Sequence, residues 1–368
     1  MKKKILMLAQ TPPPYHGQAV ILDALVGAKW DWCEKKHIRL NYSESIEDVG
    51  RFSIPKIGKM IKIIYLVYIE KKKGAIDTII YPPAPARRVP FFRDIITLFF
   101  IRKWTRNTAF HFHSGGFHKI ASDFSPLEKI IARKIYGKAE AVILSPDFQK
   151  EEIGWLKLSD IYINASGIED KYKNINKIKN KIPIILSIGL LSREKGIMVS
   201  LTAASILKGR GANFKWIFVG GWQTKRFENE AKNFVLKNNL SNHIEFKKPK
   251  VGNQKWDIYR KADIICFPTY YSIEVMPIVI IEAMMMKKAI VSTRWRSIGE
   301  MINNNKEGIL VEIQNPLATA NALEILLEDN FLRTKVAQEA RRKYLKYYTL
   351  AAHVNRMEDI YKNITGEI

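Results

Sequence analysis

Short apolar runs recur along this chain, and each leads through a loop into a stretch with apolar residues at helical spacing. Runs at 5–9, 78–81, 109–113, 141–144 and 161–163 are continuous and bounded by turn residues, as in strands buried on both faces. Between them, 19–26, 57–73, 89–104 and 127–136 read as helices. In the second, Ile57, Met60, Ile61, Ile64 and Val67 share one face. The rhythm stops at 171–181, KYKNINKIKNK, which has no apolar period and the composition of a linker. It then restarts. Strands at 184–188, 216–219, 244–246, 264–267, 290–292 and 309–311 are interleaved with helices at 199–207, 227–236, 258–262 and 277–287. The segment 316–364 reads as helical, with breaks near Asn330 and Thr349. This alternation, run through twice, predicts an α/β chain of two doubly wound domains, and such folds bind ligands beyond the carboxyl ends of their strands.

Composition narrows the partners. The 368 residues carry 60 Lys and Arg against 36 Asp and Glu, a formal charge of +24. That balance favours acidic partners: nucleic acid, an anionic membrane face or phosphorylated substrates. The excess is spread, with 27 cations against 16 acids in residues 1–166. A nucleic-acid binder concentrates charge in a tail or stripe, so nucleic acid is not expected. Two cysteines, Cys33 and Cys266, give neither a disulfide framework nor metal-ligand spacing, and Cys266 reads as a buried free thiol. The start, MKKKILMLAQTPPP, has too short an apolar run for a signal peptide, and no stretch reaches the length of a membrane span. The expected compartment is the cytoplasm.

The candidate chemistry centres on residues 270–283, YYSIEVMPIVIIEA. Proline suits the first turn of a helix, so Pro277 to Lys287 reads as a helix fed by the strand end and loop at 266–274. A helix amino terminus approached by such a loop offers backbone N–H groups and the positive end of its dipole, an anion site suited to phosphate. Glu274 lies on the loop and Glu282 within the helix. Taken alone, the pair reads by default as an apolar buried helix with two incidental acids. A second stretch, Gly189 to Gly196 (GLLSREKG), follows the first strand of the second half. It puts Arg193, a planar phosphate fork, and Lys195, a point charge, where a diphosphate could bind. Taken alone, it is equally a solvated turn. The segment 110–113, FHFH, points His111 and His113 to one face of a strand.

In chain order, several features resemble the family 4 retaining glycosyltransferases of the GT-B fold. They are the Pro-rich loop with Gly17, the strand ending in His113, the 189–196 stretch, Ala262-Asp263, Pro268, the Glu274/Glu282 pair with Ala283, Glu300, and Gly308-Ile309-Leu310-Val311. The resemblance spans nearly the whole chain and is strongest over 183–311. It implies two Rossmann-like domains facing a central cleft: an acceptor domain at 1–170, a donor domain at 182–348, and a terminal helix near 349–368 that returns to the first. It implies sugar transfer from a UDP- or GDP-sugar to a glycan acceptor on a lipid carrier, in bacterial surface polysaccharide (O-antigen, capsule or exopolysaccharide) biosynthesis. No metal or other cofactor is implied. Arg193 and Lys195 match the positions that neutralise the departing diphosphate, and Glu274 the glutamate beside the donor sugar. Glu282 matches the glutamate that holds the nucleotide ribose. Gly189 and the backbone around Val275, Met276, Pro277 and Ile278 would face the donor, and Gly17 would let first-domain backbone approach its phosphates. His113 matches an acceptor-side histidine, with His16, His111 and His118 as further acceptor-side candidates.

The chain departs from the family pattern at Val275, commonly glycine, at Lys287 and Ala289 after the helix, at Ser297-Ile298, and at Lys248-Pro249. These departures bear on loop shape and donor choice. Basic and aromatic segments at 56–73 and 87–104 add an anionic membrane surface as a partner and attachment to the inner membrane face as an expectation. Residues 95–101 read better as a core helix between strands, leaving the surface Lys and Arg to favour the membrane. Two other classes fit parts of the sequence: a nucleotide-sugar epimerase of the same fold, and a non-catalytic binder of an anionic ligand. A dinucleotide oxidoreductase lacks its Gly-x-Gly-x-x-Gly after the first strand.

Overall fold

Continuous β-branched and aliphatic runs form parallel strands because helices cover both faces of each sheet, leaving no solvent face to select polar residues. The structure, a computed structural model, describes residues 2–12, 17–42, 53–84, 87–137, 139–172 and 180–367. The chain begins β1 (Lys3–Ala9), α1 (Gly17–Gly27), β2 (Cys33–Arg39), α2 (Ile54–Lys72), β3 (Ile76–Tyr81), α3 (Arg88–Ile101), β4 (Thr105–Phe112), α4 (Phe117–Ser122) and α5 (Pro126–Tyr136). It continues β5 (Ala141–Leu144), α6 (Gln149–Ile153), β6 (Ile161–Ile163), β7 (Ile184–Ile188), α7 (Ile197–Gly209), β8 (Lys215–Val219), α8 (Lys225–Lys237) and β9 (Ile244–Lys247). It ends α9 (Gly252–Lys261), β10 (Ile264–Phe267), α10 (Ile278–Met285), β11 (Ala289–Thr293), α11 (Ile298–Met301), β12 (Ile309–Val311), α12 (Pro316–Glu328), α13 (Asn330–Lys343) and α14 (Leu350–Thr365). The contacts divide it into two compact units, Met1–Gly167 with Leu350–Ile368, and Ile168–Thr349.

In the first unit the parallel strands lie in the order β2-β1-β3-β4-β5-β6. Helices α2, α3 and α5 cover one face, where Ile63, Val67, Phe91, Leu98 and Tyr136 meet Leu8 and Phe110. Helices α1 and α14 cover the other, around Met7, Leu22, Leu25, Met357 and Tyr361. Helix α14 is tied down by hydrogen bonds: Asn164 Nδ2 donates to the His353 carbonyl at 3.2 Å, and Arg356 Nε to Asn164 Oδ1 at 2.8 Å. In the second unit the order is β12-β11-β10-β7-β8-β9. The chain leaves β7 in one direction and returns through β10 to build the other side. The β7/β10 junction is therefore the switch point of the sheet, where loops diverge and open a crevice at the carboxyl ends. Both units are doubly wound, and the pair of six-stranded parallel sheets has the GT-B architecture.

Several boundaries differ from the pattern-based expectation. Strand β2 escaped it because CEKKHIR is an edge strand with four exposed or half-exposed charged residues and little apolar signal. Helix α9 begins six residues before 258, in the polar turn GNQKWD, and the short helices α4, α6 and α11 went unread. Pro277 caps α10 in an extended conformation (φ −66°, ψ 113°) instead of opening its first turn, and the helix stops at Met285 rather than Lys287, which has φ 53°. The segment 89–104 ends as helix at Ile101 and finishes in a 3-10 turn. Most of the linker expected at 171–181 lies outside the described residues.

The first unit buries two histidines. His111 on β4 is fully buried, and neither ring nitrogen has a hydrogen-bond partner; its ring lies 3.9 Å from that of His113 and 6.3 Å from that of His353 on α14. Burial pushes His353 down to about 4, and burial, with His113 and His353 close by, holds His111 well below its ordinary value of 6.5. Both are neutral in the fold, while the unfolded chain protonates them near pH 6.5. Stability is therefore full above that pH and is lost as pH falls through about 4, with roughly 3 kcal/mol of the loss from His353. His111→Phe removes one such proton acceptor. Its acid-unfolding midpoint, followed by circular dichroism, is expected at lower pH than that of the parent chain; an unchanged midpoint contradicts this account.

Candidate active site

Two loops meet at the switch point, and glycine is what lets them touch. Gly196 has φ 79°, and a Cβ there would sit 2.1 Å from the Pro268 carbonyl oxygen, so any side chain would separate the loop after β7 from the loop after β10. Gly189 has φ 130° and faces Val279 in the first turn of α10, whose Cγ2 would lie 3.9 Å from an added Cβ. The loops are laced together: Tyr270 N donates to the Glu194 carbonyl at 2.8 Å, and Thr269 Oγ1 donates to it at 3.3 Å.

At this junction the Lys195 ammonium meets the Glu274 carboxylate, Nζ to Oε2. The side chains are 17% and 10% exposed, so the charges are largely desolvated yet open on one side. The single Thr269 hydroxyl proton is shared between the Glu194 carbonyl and this Oε2, 3.2 Å away, and the Lys195 Nζ lies 4.7 Å from the centre of the Tyr271 ring. The aromatic face and the carboxylate together fix where the ammonium points. Lys195, Glu274 and the start of α10 thus converge at the carboxyl edge of β7 and β10.

The loop carrying Glu274 is stapled from the side by the segment after β11, in a way that sequence pattern does not reveal. Thr293 Oγ1 donates to the Thr269 carbonyl, Trp295 Nε1 to that of Tyr271 (2.9 Å), Arg296 Nε to that of Glu274, and Ser297 Oγ to that of Val275. Four side chains within five residues each take a loop carbonyl. Val275 is buried by this arrangement, as is Pro277, whereas Met276 and Ile278 are half-buried. The far end of α10 is held as well: Arg341 Nη1 donates to the Met285 carbonyl at 2.8 Å, a cation at the negative end of the helix dipole.

Glu282 is 4% exposed, and both its oxygens are engaged, one by Lys255 Nζ and the other by Tyr259 OH at 2.8 Å. Burial and the neighbouring carboxylate push the Tyr259 phenol well above its usual range, so it stays protonated and donates. Neither Lys255 nor Tyr259 was expected from sequence. Arg193 takes a different direction from Lys195: it pairs with Glu230 of α8 and lies over Phe227, and both members of that pair are about half exposed. Cys266 is buried, and burial raises its thiol well above the reactive range.

The first unit places the histidines separately. His113 stands just past β4 and is half-buried, whereas His111 is a core side chain that no ligand can reach from solvent. His118 in α4 is exposed and bonds through Nδ1 to Glu152 Oε1 at 2.9 Å. Glu152, 2% exposed, also accepts from the Gly116 N–H through both oxygens (3.1 and 3.0 Å), and Gln149 Nε2 reaches the Ser114 carbonyl at 3.3 Å. The loop after His113 is therefore set by α6. Gly17 is the first residue of α1, and His16 lies outside the described residues. Among the described residues no group of three or more His, Cys, Asp or Glu is placed to hold a metal ion.

A family model described as glycosyl transferases group 1 matches residues 168–343, nearly the whole second unit. Residues 168–343 carry the similarity to group 1 glycosyltransferases, just under half of the chain. The chain is 22% identical over 253 residues to the alpha-D-kanosaminyltransferase of Streptomyces kanamyceticus, covering 65% of this chain and 64% of that protein. It is 29% identical over 193 residues to the N,N'-diacetylbacillosaminyl-diphospho-undecaprenol alpha-1,3-N-acetylgalactosaminyltransferase of Campylobacter jejuni, covering 52% and 47%. The chain thus spans about half to two thirds of the length of these curated relatives. Among solved structures, a glycosyltransferase from Rickettsia africae superposes with a TM-score of 0.76 at 21% identity over 99% of this chain and 98% of that one. Anabaena HepE, solved in complex with UDP, gives 0.74 at 14% identity over 98% and 100%. These likenesses extend the fold over both units.

Within the matched region the staples and the Arg193 pair differ in energetic weight. A buried carbonyl stripped of its donor costs about 1–3 kcal/mol, and an exposed ion pair about 0–1 kcal/mol. In urea unfolding of the full chain, Thr293→Val and Ser297→Ala are each expected to lower the midpoint clearly, and Arg193→Ala to leave it nearly unchanged. Equal effects would contradict the stapling.

Proposed function

We propose that this chain is a retaining glycosyltransferase that moves a sugar from a UDP- or GDP-sugar to a glycan acceptor on a lipid carrier. The observation that carries the reading is the Lys195–Glu274 pair at the switch point, beside the first turn of α10. A diphosphate placed there meets the Lys195 ammonium and the positive end of the α10 dipole. As the bond from the anomeric carbon to the diphosphate oxygen breaks, negative charge grows on that oxygen. A preorganised, largely desolvated cation stabilises this charge far better than water does. The acceptor hydroxyl then bonds the anomeric carbon on the face the phosphate left, and its proton passes to the departing diphosphate. Glu274 aims Lys195 and lies at the sugar side, and Glu282, held by Lys255 and Tyr259, receives the ribose hydroxyls. Arg193 joins the diphosphate by exchanging its exposed partner Glu230, a small cost for a surface pair.

No metal is assigned to the reaction, because Lys195 and the helix terminus supply the positive charge. The similarity to HepE, solved with UDP, supports a nucleotide-sugar donor. The acceptor class is supported by the Campylobacter jejuni relative, named for a diphospho-undecaprenol substrate, and by a capsular polysaccharide biosynthesis glycosyltransferase of Staphylococcus aureus that is 22% identical over 220 residues. We therefore place the reaction in surface polysaccharide synthesis, with His113 and His118 on the acceptor side.

Lys195→Ala is expected to lower sugar transfer about a hundredfold or more, in line with loss of one preorganised donor to a developing oxyanion. Its circular dichroism should match the parent chain. Near-normal turnover in that variant would remove the site from the reaction. A thermal-shift screen of UDP-, GDP- and ADP-sugars identifies the donor, since a ligand of the native state raises the melting temperature.

A further inference from the structure

The helical layer of the first unit formed by α2, α3 and α5 has an outer surface that its inner packing does not explain. The three helices lie side by side and bury one shared core. Yet twelve of the 22 large apolar side chains exposed among the described residues lie on them. Ile54 (78%), Ile61 (59%) and Tyr65 (58%) run along α2, Phe99 (49%) and Phe100 (41%) stand at the end of α3, and Leu127 (66%) starts α5. Of the two helices covering the opposite face of the sheet, α1 and α14, the same exposure is seen only at Val20. Scattered apolar residues are normal on a surface; a concentration on one layer marks an interaction site.

Charge on the same layer selects the partner. Residues 54–73, 87–103 and 126–136 hold fourteen Lys and Arg against three acids. All three acids are already in ion pairs: Glu70 with Lys4 and Lys73, Asp94 with Arg93, and Glu128 with Arg88. Lys62, Lys71, Lys72, Lys103 and Lys134 are exposed between or beside the apolar positions, and the Lys103 ammonium rests 4.0 Å from the Phe99 ring centre. A groove of about 520 Å³ between β2 and α2 adds Arg39 and Lys59 to Lys62 and Lys73 around Leu66. Exposed aromatic and aliphatic side chains interspersed with exposed lysines, as at Lys103 over Phe99, match the boundary between acyl chains and anionic headgroups. A second copy of this chain would bring two such cationic surfaces together, which like-charge repulsion opposes. Nucleic acid would leave the isoleucines and leucines without use, since its interfaces are polar. No described helix is long and apolar enough to cross a membrane, so the layer would lie on the bilayer and not span it.

We infer that the outer surface of α2, α3 and α5 docks the chain onto an anionic lipid bilayer, with Phe99 and Phe100 inserted among the headgroups and the lysines of α2 held against them. This surface belongs to the first unit alone, whereas Lys195, Glu274 and Glu282 belong to the second.

The test is co-sedimentation of the full chain with phosphatidylcholine vesicles, with and without about a third phosphatidylglycerol. Binding is expected to the anionic vesicles, at least tenfold stronger than to the neutral ones, and weakened by salt. Phe99→Ser with Phe100→Ser should lower partitioning at least tenfold. Lys71→Ala and Lys72→Ala should lower it about fivefold each. Circular dichroism and the melting shift produced by UDP keep a folding defect or a failed donor reading distinguishable from failed docking. Absence of binding to anionic vesicles overturns the inference, as does binding by the folded variants at the parent level. A chain that ignores vesicles but forms a dimer in solution, dissolved by the phenylalanine pair, assigns the surface to a second copy instead.

Discussion

A lysine and a glutamate, each with most of its side chain removed from water, face one another where the second sheet reverses its winding. Such a pair is a poor device for stability, because desolvating both charges offsets most of their attraction. Its value lies in direction. Glu274 and the Tyr271 ring hold the Lys195 ammonium at the carboxyl edge of β7 and β10, and Thr269 occupies the remaining lone pair of the same carboxylate oxygen. The carboxylate and the ring hold the ammonium while 17% of the lysine side chain stays exposed, and an anion is proposed to take that side. Removing either member strands the other in a low-dielectric place, so the two stand or fall together.

That unit depends on loops having the right shape, and the shape is set twice. Gly196 brings the first loop within van der Waals contact of Pro268, which any larger residue would prevent. The residues from Thr293 to Ser297 then fix the second loop through its carbonyls, so that the backbone under Glu274 is determined by β11 and α11. Arg341 at the far end of α10 completes the support. The strand order puts all of this at one place, because the switch point between β7 and β10 is where two successive loops part and leave backbone free for a ligand.

The sequence carried the fold in its buried strands. Parallel strands covered on both faces, such as IILSI and IICF, declare themselves as apolar runs, whereas the polar edge strand Cys33–Arg39 does not. The doubly wound class was therefore readable, but the two different strand orders were not, since order depends on which helix crosses which face. Spacing alone suggested that Arg193 and Lys195 act side by side. The structure turns Arg193 toward Glu230, thirty-seven residues further along, and only tertiary packing could supply that partner. Thr293, Trp295, Arg296, Ser297, Lys255 and Tyr259 were invisible for the same reason: each matters through a bond to a residue far off in the chain, and none carries a local signature. His111 shows the converse. The alternation of 110–113 correctly gives its face, but α14, more than two hundred residues later, closes that face over it.

Hydrogen exchange of the full chain with and without saturating UDP locates a bound nucleotide diphosphate without relying on turnover. If Lys195 and the start of α10 hold the diphosphate, exchange slows at residues 189–196 and 270–282, with smaller effects at the stapling residues 293–297. Protection confined to other segments, or none at 189–196 and 270–282 under conditions where UDP raises the melting temperature, would contradict it.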